Sequence, residues 1–201
     1  VSSSSISYDD AVPILDGIYS KMTVTSGDAF DTRTEQYLFD YRELLAEKTI
    51  SGGGQARVYY YEYDLAGNPV LERLPSGAET KTKYNAFGNP VYITYADGTY
   101  ESFEYDFSGN CISASNALGE TSYFTYDNLS RLVKSEIPAP NGMSVSKTYY
   151  NSLGGAVMQL DAMGGKTTTE YNLRGFATAV RSYNTADSGT ETLYEYNGEG
   201  I

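Results

Sequence analysis

The sequence predicts an all-β protein made of tandem antiparallel β-hairpins. Three observations predict it. Tyrosines return at a fixed interval, each is followed by Asp or Asn with glycine three residues further on, and a β-branched residue stands at the same distance after each glycine.

The elements follow in chain order. Val1 to Ser7 is serine-rich and reads as mobile or strand-like. Ile18 to Thr25 reads as a strand, Ser26 to Asp31 as a turn and Thr32 to Phe39 as a second strand. Residues 1–36 are therefore a lead-in that adds a hairpin to the sheet, and residues 37–201 are the repeat array. Phe39-Asp40 opens the array as a degenerate copy, with Glu43 where glycine belongs. Leu44 to Lys48 has helical propensity, but its place in the repeat frame argues for strand.

Seven tyrosine-led copies follow: Tyr63-Asp64 with Gly67, Tyr84-Asn85 with Gly88, Tyr105-Asp106 with Gly109, Tyr126-Asp127 with Ser130 in the glycine place, Tyr150-Asn151 with Gly154, Tyr171-Asn172 with Gly175, and Tyr196-Asn197 with Gly200. The steps between them are 21, 21, 21, 24, 21 and 25 residues. Asp or Asn at the first position and glycine at the fourth is a type I turn, in which the side-chain oxygen caps the backbone and glycine supplies a positive φ. A second turn signal lies midway through each unit, as at Pro75-Ser76-Gly77, Asp97-Gly98, Asn116 to Gly119, Asn141-Gly142, Asp161 to Gly164 and Asp187-Ser188-Gly189. Two turns per unit leave two strands of about 6–7 residues. The longer steps assign extra residues to the second turn, around Pro138 to Gly142 and Tyr183 to Gly189. The array predicts about 12–16 strands, no helix longer than two turns, and a twisted sheet.

Alternation assigns the faces. Immediately before each tyrosine stand Glu62, Lys83, Glu104, Thr125, Tyr149, Glu170 and Glu195, a face that meets water. The tyrosine face is then the covered one. Three residues after the turn glycine or its stand-in come Val70, Val91, Ile112, Val133, Val157 and Thr178, a strand and core signal. Burial of this column predicts a four-residue loop with Tyr63 opposite Asn68 and Tyr61 opposite Val70. Successive tyrosines lie two strand spacings apart, so the intervening strand fills the gap, with Asn68, Asn89 and Asn110 beside the glycine.

Composition agrees and excludes much else. Leu, Ile, Val and Phe make up under a fifth of the chain, a level typical of disorder, but 21 tyrosines and 19 threonines supply an aromatic, semi-polar core instead. The absence of histidine excludes Ser-His-Asp, Cys-His and histidine–metal chemistry, and the lone Cys111 excludes disulfide frameworks and multi-cysteine clusters. A net charge of −12 argues against nucleic acid and anionic membranes as partners. No apolar run is long enough to be a membrane-spanning helix.

The recurring Tyr-Asp/Asn-x-x-Gly at about 21 residues, from Phe39 to Ile201, resembles the YD repeat of the Rhs family. That family includes bacterial Rhs polymorphic toxins, wall-associated proteins, Tc toxin C components and teneurins. The resemblance implies a sheet that coils spirally into a hollow shell, which encloses a C-terminal effector in toxins and serves adhesion on cell surfaces. It also implies an extracellular or cell-surface location and, as partner, the remainder of the parent chain. The departures are Ser130 and Glu43 for glycine and Asn for Asp at four copies. The family's self-cleaving aspartyl segment has no counterpart here. Val1 in place of an initiator Met, too few copies to close a shell, and an end six residues into a copy read as a fragment.

The repeat acids Asp64, Asp106 and Asp127 suit calcium in principle, but Asn replaces them freely, which a turn-capping role permits and a ligand role disfavours. Cys111 precedes Ile112 and has no cationic neighbour in sequence, so it reads as a small strand residue. The expectation is therefore a non-catalytic structural module without cofactor or metal, whose tyrosines, Asp/Asn residues and glycines are structural repeat positions. The alternative is an extracellular module that binds carbohydrate or a receptor through exposed tyrosines.

Overall fold

A computed structural model describes residues 3–9, 18–27, 32–184 and 188–196. Every regular element among them is a strand. The all-β expectation holds. The strands are β1 (Ser3–Asp9), β2 (Ile18–Gly27), β3 (Thr32–Asp40), β4 (Leu45–Gly52), β5 (Gln55–Tyr63), β6 (Pro69–Arg73), β7 (Glu79–Tyr84), β8 (Pro90–Thr94), β9 (Tyr100–Tyr105), β10 (Cys111–Ser115), β11 (Thr121–Tyr126), β12 (Leu132–Ala139), β13 (Gly142–Tyr150), β14 (Ala156–Leu160), β15 (Lys166–Tyr171), β16 (Ala177–Tyr183) and β17 (Gly189–Leu193). Seventeen exceeds the expected range because Ser3–Asp9 is a full strand paired antiparallel with β2.

The chain forms two compact units, residues 1–102 and 103–201. In the first, each of β1 to β8 pairs antiparallel with its successor. In the second, each of β10 to β16 does the same. Of the stretch Leu44 to Lys48, all but Leu44 lies in strand β4, as the repeat frame required. The tight turn of the β4–β5 hairpin is Gly53-Gly54, both at positive φ as a two-residue hairpin loop demands.

The register departs from expectation. Tyr63 faces Pro69 rather than Asn68, and Tyr61 faces Glu72 rather than Val70. The cause is the turn. The Asp64 N–H donates to the Asn68 carbonyl at 3.0 Å, which closes a three-residue loop, and Val70 is then skipped as a bulge. The same skip falls at Ala46, Val91, Val133, Val157 and Thr178. The β-branched column therefore marks bulges; its residues are half-buried.

Extra residues in the longer repeats are also placed differently. In the 24-residue step to Tyr150 they lengthen β12 and β13, which close on Pro140-Asn141. Residues 185–187 of the other long step lie outside the described residues.

The residue before each tyrosine is exposed in all seven copies, as alternation requires. The tyrosine face, however, is half-buried rather than covered. The two fully buried apolar residues among those described are Leu71 and Ala179, at 8% and 3% exposure. Leu71 faces Glu62 and Lys81, and Ala179 faces Glu170 and Leu193. Both thus sit on the face assigned to water. Long charged side chains lay their methylene stems over apolar neighbours, so a charged surface can still bury a small patch.

Candidate functional site

The repeat residues build two linked devices: a capped turn and a tyrosine clasp. In the turn, Asp64 Oδ1 accepts the Ala66 and Asn68 N–H groups, both at 2.9 Å, and Oδ2 accepts Asn68 Nδ2 at 2.9 Å. Asp106 repeats this with Ser108 and Asn110. Asp127 holds Leu129 and Arg131, adding the Arg131 guanidinium at 2.6 Å. Asn85, Asn151 and Asn172 make the same two backbone contacts, as does Asp40 in the degenerate copy. The second turns at Asn116 and Asp161 use the same cap.

These hydrogen bonds stabilise the charged carboxyl. The Asn68 amide holds Asp64 below its ordinary pKa, the Asn110 amide does so for Asp106, and the Arg131 guanidinium for Asp127. Glycine at the fourth position has positive φ at Gly67, Gly88, Gly109, Gly154 and Gly175. Among the described residues, the non-glycine residues at positive φ are Glu43 and Ser130, at 62° and 59°, the two stand-ins that the repeat alignment placed there.

In the clasp, seen in five of the copies, a tyrosine hydroxyl reaches back one strand. Tyr63 donates to the Leu45 carbonyl at 3.0 Å, Tyr84 to Pro69 at 3.0 Å, Tyr150 to Leu132 at 3.2 Å, Tyr171 to Ala156 at 3.0 Å and Tyr196 to Ala177 at 2.7 Å. The acceptor is always two residues after the turn glycine or its stand-in in the preceding copy. The ring lies against the residue between them. Arg131 sits 4.4 Å from the Tyr150 ring centre, and Phe176 stacks on Tyr196 at 5.2 Å. At Gly155 an added Cβ would come within 2.9 Å of the Tyr171 ring. Burial raises the pKa of Tyr63, Tyr105 and Tyr126.

The Asp/Asn and glycine (or stand-in) positions of the described turns thus come together in one capped turn, and the tyrosine adds a clasp at Tyr63, Tyr84, Tyr150, Tyr171 and Tyr196. Asn197 lies outside the described residues. Sequence reasoning missed the acceptor carbonyls, because a backbone group leaves no mark on residue identity. It also passed over the turn tips, where Leu65, Phe87, Phe107, Leu129, Leu153 and Leu173 are exposed; each turn carries one such apolar residue, at its second or third position, and the sequence shows it.

No group of three or more Cys, Asp or Glu among the described residues is arranged to hold a metal ion. The Cys111 thiol is half-buried and donates to the Ser113 carbonyl at 3.3 Å, and burial raises its pKa. Surface depressions are open, one being lined by Asp64, Leu65, Asn68, Asn85 and Phe87 of two successive turns. No helix of the described residues is long and apolar enough to cross a membrane.

No protein-family model and no curated protein matches the sequence. Solved structures do. The fold is similar to that of TcdB2-TccC3. The crystal structure of TcdB2-TccC3-TEV matches over 89% of this chain with a TM-score of 0.61 and 16% identity. This chain spans 11% of that one. TcdB2-TccC3-Cdc42 matches over the same 89% at a TM-score of 0.46 and 12% identity, across 14% of its own length. The structure of the Photorhabdus luminescens Tc holotoxin pore, which carries a TccC3 variant, gives 0.41, with 11% identity, 89% of this chain and 14% of that one. At such identity the likeness to TcdB2-TccC3-TEV establishes the shared β fold.

Proposed function

We propose that the chain is a non-catalytic structural module of the YD/Rhs-repeat type, part of a β-shell that encapsulates or presents a C-terminal effector in an exported or cell-surface bacterial protein. The observation that carries this reading is the clasp. In the copies of Tyr63, Tyr84, Tyr150 and Tyr171 the tyrosine hydroxyl holds the preceding copy's backbone and the turn carboxylate or amide holds its own. These residues are committed to extending the array. The fold shared with TcdB2-TccC3-TEV supports the same reading. On the outward face of the first unit, the Tyr92 ring stacks on Tyr100 at 4.9 Å and has Lys83 at 5.7 Å from its centre. Its ring surface is engaged within the protein, which weighs against a sugar platform there.

Limited proteolysis of the parent protein tests the proposal. The segment following the array should resist protease while the array is folded and become sensitive when Tyr63→Ala, Tyr84→Ala and Tyr171→Ala are combined to loosen it. Equal cleavage in both would overturn encapsulation. Selective, saturable retention of one glycan on an array, lost in Tyr92→Ala, would favour the binding module.

A further inference from the structure

We propose that an open hollow on the tyrosine face of β3 to β5 binds a phosphate group, gripped from two sides by Arg33 and Arg57. Thr34 pairs with Ser51 and Glu35 with Ile50, while Ile50 pairs with Arg57 and Gly52 with Gln55. Cross-strand partners share a face, and so do alternate residues of one strand. Arg33, Ile50, Gly52, Gln55 and Arg57 therefore lie on one face, which on β5 is also that of Tyr59 and Tyr61. Together they line a depression of about 400 Å³, a size within the range of small-ligand sites.

Gly52 opens the hollow. Gly53 and Gly54 of the hairpin turn have positive φ, but Gly52 does not, so its backbone suits any residue. Glycine inside a strand serves a bulge, a sharp bend, or the close approach of another backbone or a ligand. The β4–β5 register runs through Gly52 without a bulge. The atoms nearest to an added Cβ there are Arg33 Cα and Thr32 O, both at 3.8 Å, so no neighbouring backbone needs the space. A ligand is the remaining use.

Charge identifies that ligand. The chain carries −12, yet on this face of β3 to β5 Arg33, Lys48 and Arg57 stand against Glu35 alone. Glu35 is already satisfied: it accepts the Tyr37 hydroxyl, with Arg33 and Lys48 at 2.5 and 3.5 Å. Arg33 spends one end of its guanidinium there. No carboxylate among the described residues pairs with Arg57, whose cross-strand partner is Ile50. The Cα atoms of the two arginines are two strand spacings and two residues apart, roughly 12 Å. Two long side chains can meet over Gly52 across that gap. Each guanidinium is a planar fork matched to phosphate oxygens. A carboxylate fills one fork, whereas a phosphate dianion has oxygens for both and for the Gln55 amide. The hollow stays open to water, so the dissociation constant is on the order of 1 mM, as a few exposed charge-assisted hydrogen bonds support.

Amide and guanidinium nuclear magnetic resonance of the 201-residue chain at low salt tests this, with inorganic phosphate and glycerol phosphate as probes up to about 20 mM, well past that constant. Signals of Arg33, Gly52, Gln55 and Arg57 should shift saturably. Equal binding of the two probes marks free phosphate as the ligand, and tighter binding of glycerol phosphate marks a phosphomonoester. Acetate and glycerol should bind at least about tenfold more weakly. Arg57→Gln, at an exposed site, should weaken phosphate binding at least about tenfold. Gly52→Leu keeps every cation but fills the hollow, and should abolish the shifts. Lys147→Gln removes an exposed cation of the second unit and should change nothing. The absence of saturable shifts overturns the proposal, as does acetate binding as tightly as phosphate. So does binding that falls as much in Lys147→Gln as in Arg57→Gln, or that persists in a folded Gly52→Leu, since either would be attraction to charge alone. Should Gly52→Leu lose the dispersed amide spectrum of the parent, the Arg57→Gln and Lys147→Gln pair decides.

Discussion

Glu43 occupies a backbone conformation that favours glycine, and Glu43→Gly should stabilise the protein. Its φ of 62° lies in the left-handed region. There an L-residue pays about 1–2 kcal/mol for the approach of its Cβ to the following carbonyl oxygen. Glycine escapes that cost but loses more freedom on folding, about 0.5–1 kcal/mol. The net gain is then about 0.5–1 kcal/mol, since the Glu43 side chain is exposed and the cap on this turn comes from Asp40, not from residue 43. Ser130 provides an internal contrast. Its φ is 59°, but its hydroxyl accepts Asn110 Nδ2 at 3.1 Å. Losing that bond costs about 0.5–1.5 kcal/mol and offsets the backbone gain, so Ser130→Gly should be close to neutral. The reverse change calibrates both. An added Cβ at Gly175 meets nothing within 4 Å, so Gly175→Ala should lose about 1 kcal/mol from φ alone. Urea melts resolve these differences through the midpoint, with the slope unchanged if only native stability moves. A destabilised Glu43→Gly, or a Ser130→Gly that gains more than Glu43→Gly, would refute the argument.

Two further outcomes are expected. Gly155→Ala should destabilise by about 1–3 kcal/mol, because the new Cβ must displace the Tyr171 ring; a neutral result in urea melts would mean that the clasp yields freely. Acid should weaken the capped turns: the carboxyls of Asp64, Asp106 and Asp127 have folded pKa values below the unfolded value, so their contribution is complete above about pH 4 and is lost as pH falls through the folded values. Asp106→Asn should keep both backbone contacts of the cap at pH 7 while flattening the acid limb of a melting-temperature profile, and an unchanged acid limb would show that this carboxyl is not linked to folding.

What the sequence made legible was local. The Asp/Asn cap depends on one side chain and the two amides that follow it, so a four-residue pattern specified it, even at Glu43 and Ser130, where the glycine is absent. The register was not legible. Placing Val70 opposite Tyr61 followed from burial, but the loop closes through the Asp64 N–H and the Asn68 carbonyl, and that hydrogen bond outweighs the preference of one valine. The gap between tyrosines was legible as a steric problem, and its solution was only half so. The flanking residue is in the sequence, whether Arg131, Gly155 or Phe176, but the carbonyl that holds the hydroxyl is a product of the register.

The clasp also has a direction. Tyr63, Tyr84, Tyr150, Tyr171 and Tyr196 all reach towards the N-terminus, so a copy held this way receives its final hydrogen bond only from the copy made after it. On a ribosome adding about 5–20 residues per second, the next tyrosine would emerge roughly one to four seconds later. The growing chain would then carry a single unfinished copy at its trailing end, with completed ones ahead of it.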